Sequence, residues 1–202
     1  GAGHTSPPEL SIIVPAFNEA GRLEDSLPAL VARVRDRNAE LIVVDDGSTD
    51  GTADVARRFL SDLPGSGVIR IDQNRGKGAA VRAGVERATG QTIAFMDADL
   101  ATDLDDLAAL EHALLGAHVA IGSRAAAGSV TTGGTPPRAV MGRTFNRLAR
   151  TVTRLDVRDF QCGFKAFRAP AAKLLFHLSE VDGYAFDVEL LALARRIGYR
   201  TV

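Results

Sequence analysis

Asp97 and Asp99 are two carboxylates separated by one residue, and they directly follow an apolar run at residues 92–96. Side chains two positions apart in an extended segment point to the same side. Two such carboxylates repel each other unless a cation or ligand hydroxyl groups satisfy them. Mg²⁺ and Mn²⁺ are often held by one or two carboxylates together with substrate phosphates. The pair therefore predicts a site for a divalent metal and a diphosphate, with a surface turn before a helix as the simpler alternative.

A second run, residues 45–52 (DDGSTDGT), also follows an apolar segment. Its glycines permit a tight turn with positive φ, and Ser48, Thr49 or Asp50 is placed to cap the following helix. A turn from strand to helix accounts for most of this run but not for Asp46. We therefore expect Asp46 to bind a base or a ribose hydroxyl.

Residues 74–78 (NRGKG) set Lys77 between two glycines at the start of a predicted helix. The N-terminus of a helix offers backbone N–H groups and the positive end of its dipole to a phosphate. Because Gly78 follows Lys77, the run is not a Walker P-loop, and it also lacks the glycine spacing of the dinucleotide-binding fingerprint. We predict a phosphate contact here that belongs to neither motif.

Arginines are concentrated further along the chain. They are Arg124, Arg138, Arg143, Arg147, Arg150 and Arg154. The last four recur every three or four residues and so share one face of a helix. For Arg147, Arg150 and Arg154, an exposed helix face in contact with solvent is an equally good interpretation. Arg124 comes just after a predicted strand and is better placed to meet a phosphate.

Apolar runs alternate with helical patterns over the first 121 residues, and this order predicts the fold. The predicted strands are residues 10–15, 41–44, 68–71, 92–96 and 118–121, and the predicted helices are residues 23–34, 52–60, 78–88 and 104–115. The alternation favours an α/β fold, with a mostly parallel central sheet and helices on both faces. Right-handed crossovers bring the loops after parallel strands to one edge, where open α/β sheets bind ligands. Residues 18–19, 45–46 and 97–99 all fall at that edge.

The alternation stops after residue 121. Residues 123–137 are predicted to be a loop or lid, residues 141–155 a basic helix, residues 162–167 a strand and residues 186–197 an amphipathic helix. We expect one domain over residues 9–202, preceded by a flexible leader or cloning remnant at residues 1–8. The sequence ends at Val202 just as a new strand is predicted to begin, so a natural C-terminal extension is expected to be missing.

Composition narrows the class of function. The chain has 202 residues, and its 24 Lys and Arg against 25 Asp and Glu give a formal net charge of −1. Such a balance excludes whole-protein attraction to nucleic acid or to an anionic membrane. The one cysteine, Cys162, rules out an intrachain disulfide and favours a reducing compartment. No apolar run approaches the ~20 residues that a membrane-spanning helix needs.

Taken together, the motifs resemble family 2 glycosyltransferases of the GT-A (Rossmann-like) fold. The residues that carry this resemblance are 15–19 (PAFNE), 45–52 and 97–99, in the expected order and spacing. Similarity to the polyprenyl-phosphate branch rests on residues 74–84 (NRGKGAAVRAG), 122–124 (GSR) and 159–165 (DFQCGFK). Residues 97–102 (DADLAT), 161–165 and 186–191 (FDVELL) are most similar to dolichyl-phosphate β-glucosyltransferases.

The resemblance implies a role for each matching position. On the donor side, the base and ribose would be held by Pro15, Phe17, Glu19 and Asp46. Lys77 would lie near the nucleotide, Asp97 near the ribose or sugar and close to the metal, and Asp99 on the Mg²⁺ or Mn²⁺ ion. On the acceptor side, the phosphate or diphosphate would be met by Arg124, Arg138 and Arg143. The sugar and acceptor would be lined by Gln161 and by residues 163–165, which include Lys165. Asp187 would lie where many relatives keep a general base.

The implied reaction moves a sugar, glucose, from a nucleotide-diphosphate donor, UDP-linked, to a lipid phosphate at the cytoplasmic face of a membrane. A phosphate monoester has a second pKa of about 6 and is already nucleophilic at neutral pH, so Asp187 would then orient the sugar or acceptor. Transfer to a hydroxyl acceptor, with Asp187 as the base, is the alternative. A non-catalytic nucleotide-sugar binding module is another. A nucleotidyltransferase has less support, because no glycine-rich loop follows the first strand.

Overall fold

The order of helices and strands follows the predicted alternation. The computed structural model describes residues 7–99, 106–122 and 163–202. In these ranges the strands are β1 (Leu10–Ala16), β2 (Ala39–Asp46), β3 (Gly67–Ile71), β4 (Thr92–Phe95), β5 (Val119–Ile121) and β6 (Lys165–Arg168). The helices are α1 (Ala20–Arg35), α2 (Thr52–Leu60), α3 (Lys77–Arg87), α4 (Asp106–Ala113), α5 (Ala169–Leu178) and α6 (Phe186–Ile197). Helix α5 is the one element in these ranges that the sequence did not predict.

The six strands form one sheet in the order β3-β2-β1-β4-β6-β5. Strands β1 to β4 all run parallel to one another, which confirms the predicted α/β architecture. Strand β6 lies between β4 and β5 and runs antiparallel to both, so that Lys165 pairs with Phe95 on one side and Ile121 on the other. The strand was predicted but its reversed direction was not, and this direction brings Lys165 into the interior of the sheet.

Both faces of the sheet are covered, which explains why the strands are continuously apolar. Ile12, Val14, Leu41 and Val43 point to one face, where they pack against α1, α2 and α4. Ile13, Ile42, Val44 and Phe95 point to the other, against α3, α5 and α6. Helix α1 continues through Pro28, which is exposed. No helix among the described residues is long and apolar enough to cross a bilayer.

Four phenylalanines tie the second face of the sheet to its helices. Phe95 of β4 lies 5.6 Å from Phe186 of α6 and 6.1 Å from Phe167 of β6, measured between ring centroids, and Phe176 of α5 packs against all three. Aromatic pairs at such distances contribute about 0.5–1.5 kcal/mol beyond their buried area. The cluster fixes the first turn of α6 against the sheet, and that turn carries Asp187.

Candidate active site

A cavity of about 450 Å³ opens at the carboxyl ends of β1, β2 and β4. This volume lies in the range of small-molecule sites. Eight residues predicted from the sequence line it: Pro15, Phe17, Glu19, Asp46, Lys77, Asp97, Asp99 and Asp187. The described structure thus brings the predicted donor-side residues together. The lining also includes Arg22, Asn74 and Tyr184, which the sequence interpretation missed.

The loops after β1 and β2 are joined by hydrogen bonds, and this fixes the wall that carries Phe17 and Glu19. The backbone N–H of Asn18 donates to Ser48 Oγ, and that of Glu19 donates to Thr52 Oγ1, both at 2.9 Å. Asn18 adopts a positive φ of 53°, a conformation that asparagine tolerates better than most residues. The polar residues of the 45–52 run therefore serve mainly to hold the loops after β1 and β2 together.

Gly47 is required by the close approach of a neighbouring loop. Its φ is +76°, and a Cβ there would lie 2.6 Å from the backbone N of Asn74. The N-cap of α2 is Gly51, and so is none of the three predicted caps. Asp50, one residue earlier, nevertheless accepts a hydrogen bond from the Thr52 N–H at 3.0 Å. Partial burial opposes ionisation of Asp50, but hydrogen bonds from Thr52 and Ala20 outweigh it and lower the pKa of this carboxyl.

Asp46 lines the cavity, but its carboxylate already has backbone partners. One oxygen accepts the N–H of Arg75 at 2.9 Å, and the other accepts the N–H of Gly76 at 2.7 Å. The residue is buried. Asp46 therefore holds the loop before α3, and its contact with a base or a ribose hydroxyl stays a prediction.

The N-terminus of α3 is occupied by the protein itself. The N–H groups of Gly78 and Ala79 donate to the carbonyl oxygen of Asp182, at 2.8 and 3.3 Å. A Cβ on Gly76 would lie 2.5 Å from that same oxygen. The prediction that these backbone amides bind phosphate is therefore wrong, because a distant loop caps them. The Lys77 side chain lines the cavity, and its contact with a phosphate stays a prediction.

Lys77 and Asp97 form an ion pair on the cavity wall, with 2.5 Å between Lys77 Nζ and Asp97 Oδ1. The other oxygen of Asp97 packs against Gly163, where a Cβ would overlap it. Only glycine fits at position 163 while Asp97 keeps this orientation. The sequence interpretation grouped residue 163 with the sugar and acceptor side but gave no reason for a glycine there.

Asp97 and Asp99 both belong to the lining of the cavity. Carboxylate oxygen ligands, shared with substrate phosphates, suit Mg²⁺ or Mn²⁺. Asp99 is exposed, whereas Asp97 is partly covered by Lys77. Among the residues that the structure describes, no three His, Cys, Asp or Glu side chains form a metal-binding group.

Asp187 and Lys165 form a second ion pair below the cavity. Lys165 Nζ lies 2.8 Å from Asp187 Oδ1, and the two side chains are 0% and 6% exposed. Burial raises the pKa of the Asp187 carboxyl, although the charge of Lys165 opposes the shift. Asp187 reaches the cavity lining, but Lys165 does not. The direct substrate contact that the resemblance implied for Lys165 is not made here, because the antiparallel β6 turns this side chain into the core.

Asp182 fastens the segment before α6 to α3. Its carboxylate accepts hydrogen bonds from Arg82 at 2.6 Å and from Arg75 at 3.2 Å. The bond from Arg82, with a smaller contribution from Arg75, lowers the pKa of Asp182 against the opposing effect of burial. Tyr184, two residues later, is 78% exposed at the cavity rim. The only sequence signal for this segment was its position just before the 186–191 run.

Four predicted site residues lie outside the described residues. They are Arg124, Arg138, Arg143 and Gln161. The predicted lid at 123–137 and basic helix at 141–155 also lie outside them, so these remain predictions.

The fold and its cavity define a GT-A glycosyltransferase domain. A mannosyltransferase of Pyrobaculum calidifontis, solved with GDP-Man and Mn²⁺, has a TM-score of 0.67 and 24% identity over 98% of this chain and 55% of its own. A glucosyl-3-phosphoglycerate synthase of Mycobacterium tuberculosis, solved with Mn²⁺, UDP and glucosyl-3-phosphoglycerate, has a TM-score of 0.68 and 22% identity over 95% of this chain and 67% of its own. These likenesses establish the fold.

The sequence model described as Glycosyl transferase family 2 matches residues 11–176, and the chain belongs to this family. It is 39% identical to the dolichyl-phosphate beta-glucosyltransferase of Drosophila melanogaster and 36% identical to the human protein of that name. These alignments cover 94% and 93% of this chain and 63% of each relative. The chain thus spans less than two thirds of the length of these curated relatives. The resemblance inferred from the motifs is confirmed.

Proposed function

We propose that this domain transfers glucose, with inversion, from a UDP-linked donor to a polyprenyl or dolichyl phosphate, in a reaction that needs Mg²⁺ or Mn²⁺. The observation that carries the proposal is that Lys77, Asp97 and Asp99 line the same cavity, with Lys77 paired to Asp97. The choice of glucose and lipid phosphate rests on the names of the relatives, which are 30–39% identical. A nucleotide-sugar binding module without turnover would share the cavity but not the transfer.

On the donor side, the base and ribose would be contacted by Pro15, Phe17, Glu19 and Asp46. Asp97 and Asp99 would hold the metal, which when bound neutralises charge on the departing diphosphate. The ammonium group of Lys77 would add a second positive charge to that diphosphate. Such preorganised charges stabilise the transition state more than the ground state, because the negative charge grows as the bond breaks.

On the acceptor side, an oxygen of the lipid phosphate attacks C1 of the sugar as the bond from C1 to the diphosphate oxygen breaks. The electron pair leaves with the nucleoside diphosphate, and attack from the opposite side inverts the configuration at C1. Arg124, Arg138 and Arg143 would hold the acceptor phosphate, with Gln161 beside the sugar. Asp187 would orient a sugar or acceptor hydroxyl group, while Lys165 acts only through Asp187. Such an acceptor would place the site close to a membrane, at its cytoplasmic face.

Transfer to a hydroxyl acceptor is the second candidate, and it is favoured by the environment of Asp187. This carboxylate reaches the cavity, and burial raises its pKa, as a general base working near neutral pH requires. The Asp187→Asn variant separates the two candidates. It should lose transfer to a hydroxyl acceptor almost completely but retain part of the transfer to a phosphate acceptor.

The proposal is tested with a panel of donors and acceptors. Thermal unfolding is followed with UDP-glucose, UDP-galactose and GDP-mannose, each with and without Mn²⁺, because a ligand that binds the native state raises its Tm. Dolichyl phosphate and a matched dolichol then serve as acceptors. We expect the largest Tm increase with UDP-glucose and Mn²⁺, and transfer to the phosphate alone. A donor that binds without transfer to either acceptor would contradict the proposal and support the binding module.

A further inference from the structure

Lys165 is a buried charged residue to which the proposed mechanism gives no direct contact with substrate. Its side chain is fully enclosed, with Nζ 2.8 Å from Asp187 Oδ1 and 5.6 Å from the centroid of the Phe95 ring. Taking an ammonium group out of water is costly unless a well-placed partner compensates for it. Asp187 is such a partner, and its carboxylate also reaches the cavity.

We propose that Lys165 is a positioning residue that holds the Asp187 carboxylate in its orientation at the cavity floor and supplies its permanent counter-charge. This inference rests on the proposed function of the cavity, because it assigns a task within the same site. Lys165 then acts on the reaction through Asp187, and does not contact the substrate itself.

The two lysines near the cavity differ in access, and this difference supports separate roles. The Lys77 side chain is 15% exposed and its partner Asp97 is 45% exposed, so a ligand can reach this pair. The Lys165 pair is closed off, with exposures of 0% and 6%. A diphosphate that enters the cavity can therefore draw Lys77 away from Asp97 but cannot draw Lys165 away from Asp187.

The fixed pair matters most when a ligand has taken Lys77. The charges of Lys77 and Asp97 both act on Asp187, the first favouring and the second opposing its ionised form. If Lys77 turned to the diphosphate, Asp187 would lose part of its compensation. Lys165 would remain 2.8 Å away, anchored on a strand that pairs with β4 and β5 on both sides.

A purely structural ion pair is the competing explanation, and neutral variants of similar size distinguish it. The variants are Lys165→Met, Asp187→Asn and the double variant, which keeps the volume but removes both charges. Lys173→Met is the matched control. Lys173 Nζ donates to the carbonyls of Val85, Glu86 and Ala88 at the end of α3, so its loss should affect stability but not turnover.

For each variant, kcat, the KM for UDP-glucose and the folded fraction are measured. We expect Lys165→Met to lower kcat by at least about tenfold per folded molecule while the KM for UDP-glucose changes by less than about twofold. The double variant should lose no more than Asp187→Asn alone, because the two residues act as one unit. Lys165→Arg should recover part of the kcat.

A kcat for Lys165→Met within about twofold of the parent, or losses that simply multiply in the double variant, would overturn the inference. If Lys165→Met does not fold, the double variant and Lys165→Arg decide the question. Crystal structures of the variants test the positioning role independently of the proposed function. Asp187 should turn away from its present position in Lys165→Met but not in Lys173→Met, even if the parent protein transferred no sugar. An unmoved Asp187 would contradict the positioning role.

Discussion

Gly163 lies outside the cavity lining, but replacing it with alanine would displace a carboxylate oxygen of Asp97, which belongs to the donor site. A Cβ at this position would overlap Oδ2 of Asp97, while Lys77 Nζ holds Oδ1 at 2.5 Å on the other side. Asp97 must therefore rotate or move, or the backbone just before β6 must shift. Inserting a methyl group into a packed site typically costs about 1–3 kcal/mol of stability.

The loss of enzymatic activity in Gly163→Ala is expected to matter more than its loss of stability. A misplacement of about 1 Å in a reacting assembly can lower the rate by up to about a hundredfold. We therefore expect Gly163→Ala to lower kcat/KM by about 10- to 100-fold, which corresponds to about 1.4–2.7 kcal/mol of transition-state stabilisation. The Mn²⁺ concentration needed for half-maximal activity should rise as well, because Asp97 is a proposed ligand.

The assay measures transfer of labelled glucose as a function of Mn²⁺ and of UDP-glucose. Gly21→Ala is the matched control, since no atom lies within 4 Å of a Cβ there and alanine favours the helix by about 0.5–1 kcal/mol. This control should keep full activity and unfold at the same or a higher temperature. Activity of Gly163→Ala within about twofold of the parent would refute the role given to Gly163.

Three further predictions concern the supports of the site. Asp182→Asn should lower the free energy of unfolding by up to about 1 kcal/mol at about pH 7. Because the pKa of Asp182 is lowered in the folded state, this difference from the parent should shrink as the pH falls below the ordinary pKa of 3.8. A difference in urea unfolding that is independent of pH would contradict this. Gly47→Ala, with a positive φ and the backbone of Asn74 at 2.6 Å, should cost at least about 1–2 kcal/mol and weaken UDP binding in calorimetry; unchanged binding would show that the loop before α3 is not held in this way. Phe186→Ala should cost about 3–5 kcal/mol of stability in urea unfolding, and a cost near zero would remove the aromatic cluster as the anchor of Asp187.

The sequence predicted the parallel half of the sheet well because local patterns determine it. Helices α2 and α6 begin and end at the predicted residues, since their apolar spacing and flanking residues are unambiguous. Helix α5 was missed: Pro170 lies in its first turn, where proline is tolerated, and Leu174 and Leu178 are exposed, which blurs the apolar face. The direction of β6 depends on the strands beside it, which the sequence does not reveal.

At the site, too, local patterns could be predicted, whereas contacts between distant parts of the chain could not. The sequence placed Asp97, Asp99 and Lys77 at one edge of the sheet because strand ends in a parallel sheet meet there. It could not show that Asp182 caps α3, because the two lie about a hundred residues apart and no spacing rule connects them. The burial of Lys165 escaped for the same reason, since it follows from the antiparallel pairing of β6.

The central claim is that Asp97 and Asp99 bind the metal and diphosphate of a sugar donor, and Asp99→Asn tests it most directly. Transfer of labelled glucose from UDP-glucose to dolichyl phosphate is measured at saturating Mn²⁺, with Asp25→Asn as a control for an exposed carboxylate on α1, outside the cavity lining. The account predicts that Asp99→Asn loses at least about a hundredfold in rate, with an unchanged unfolding temperature, while Asp25→Asn keeps full activity. Equal, metal-dependent transfer by Asp99→Asn and the parent would contradict it.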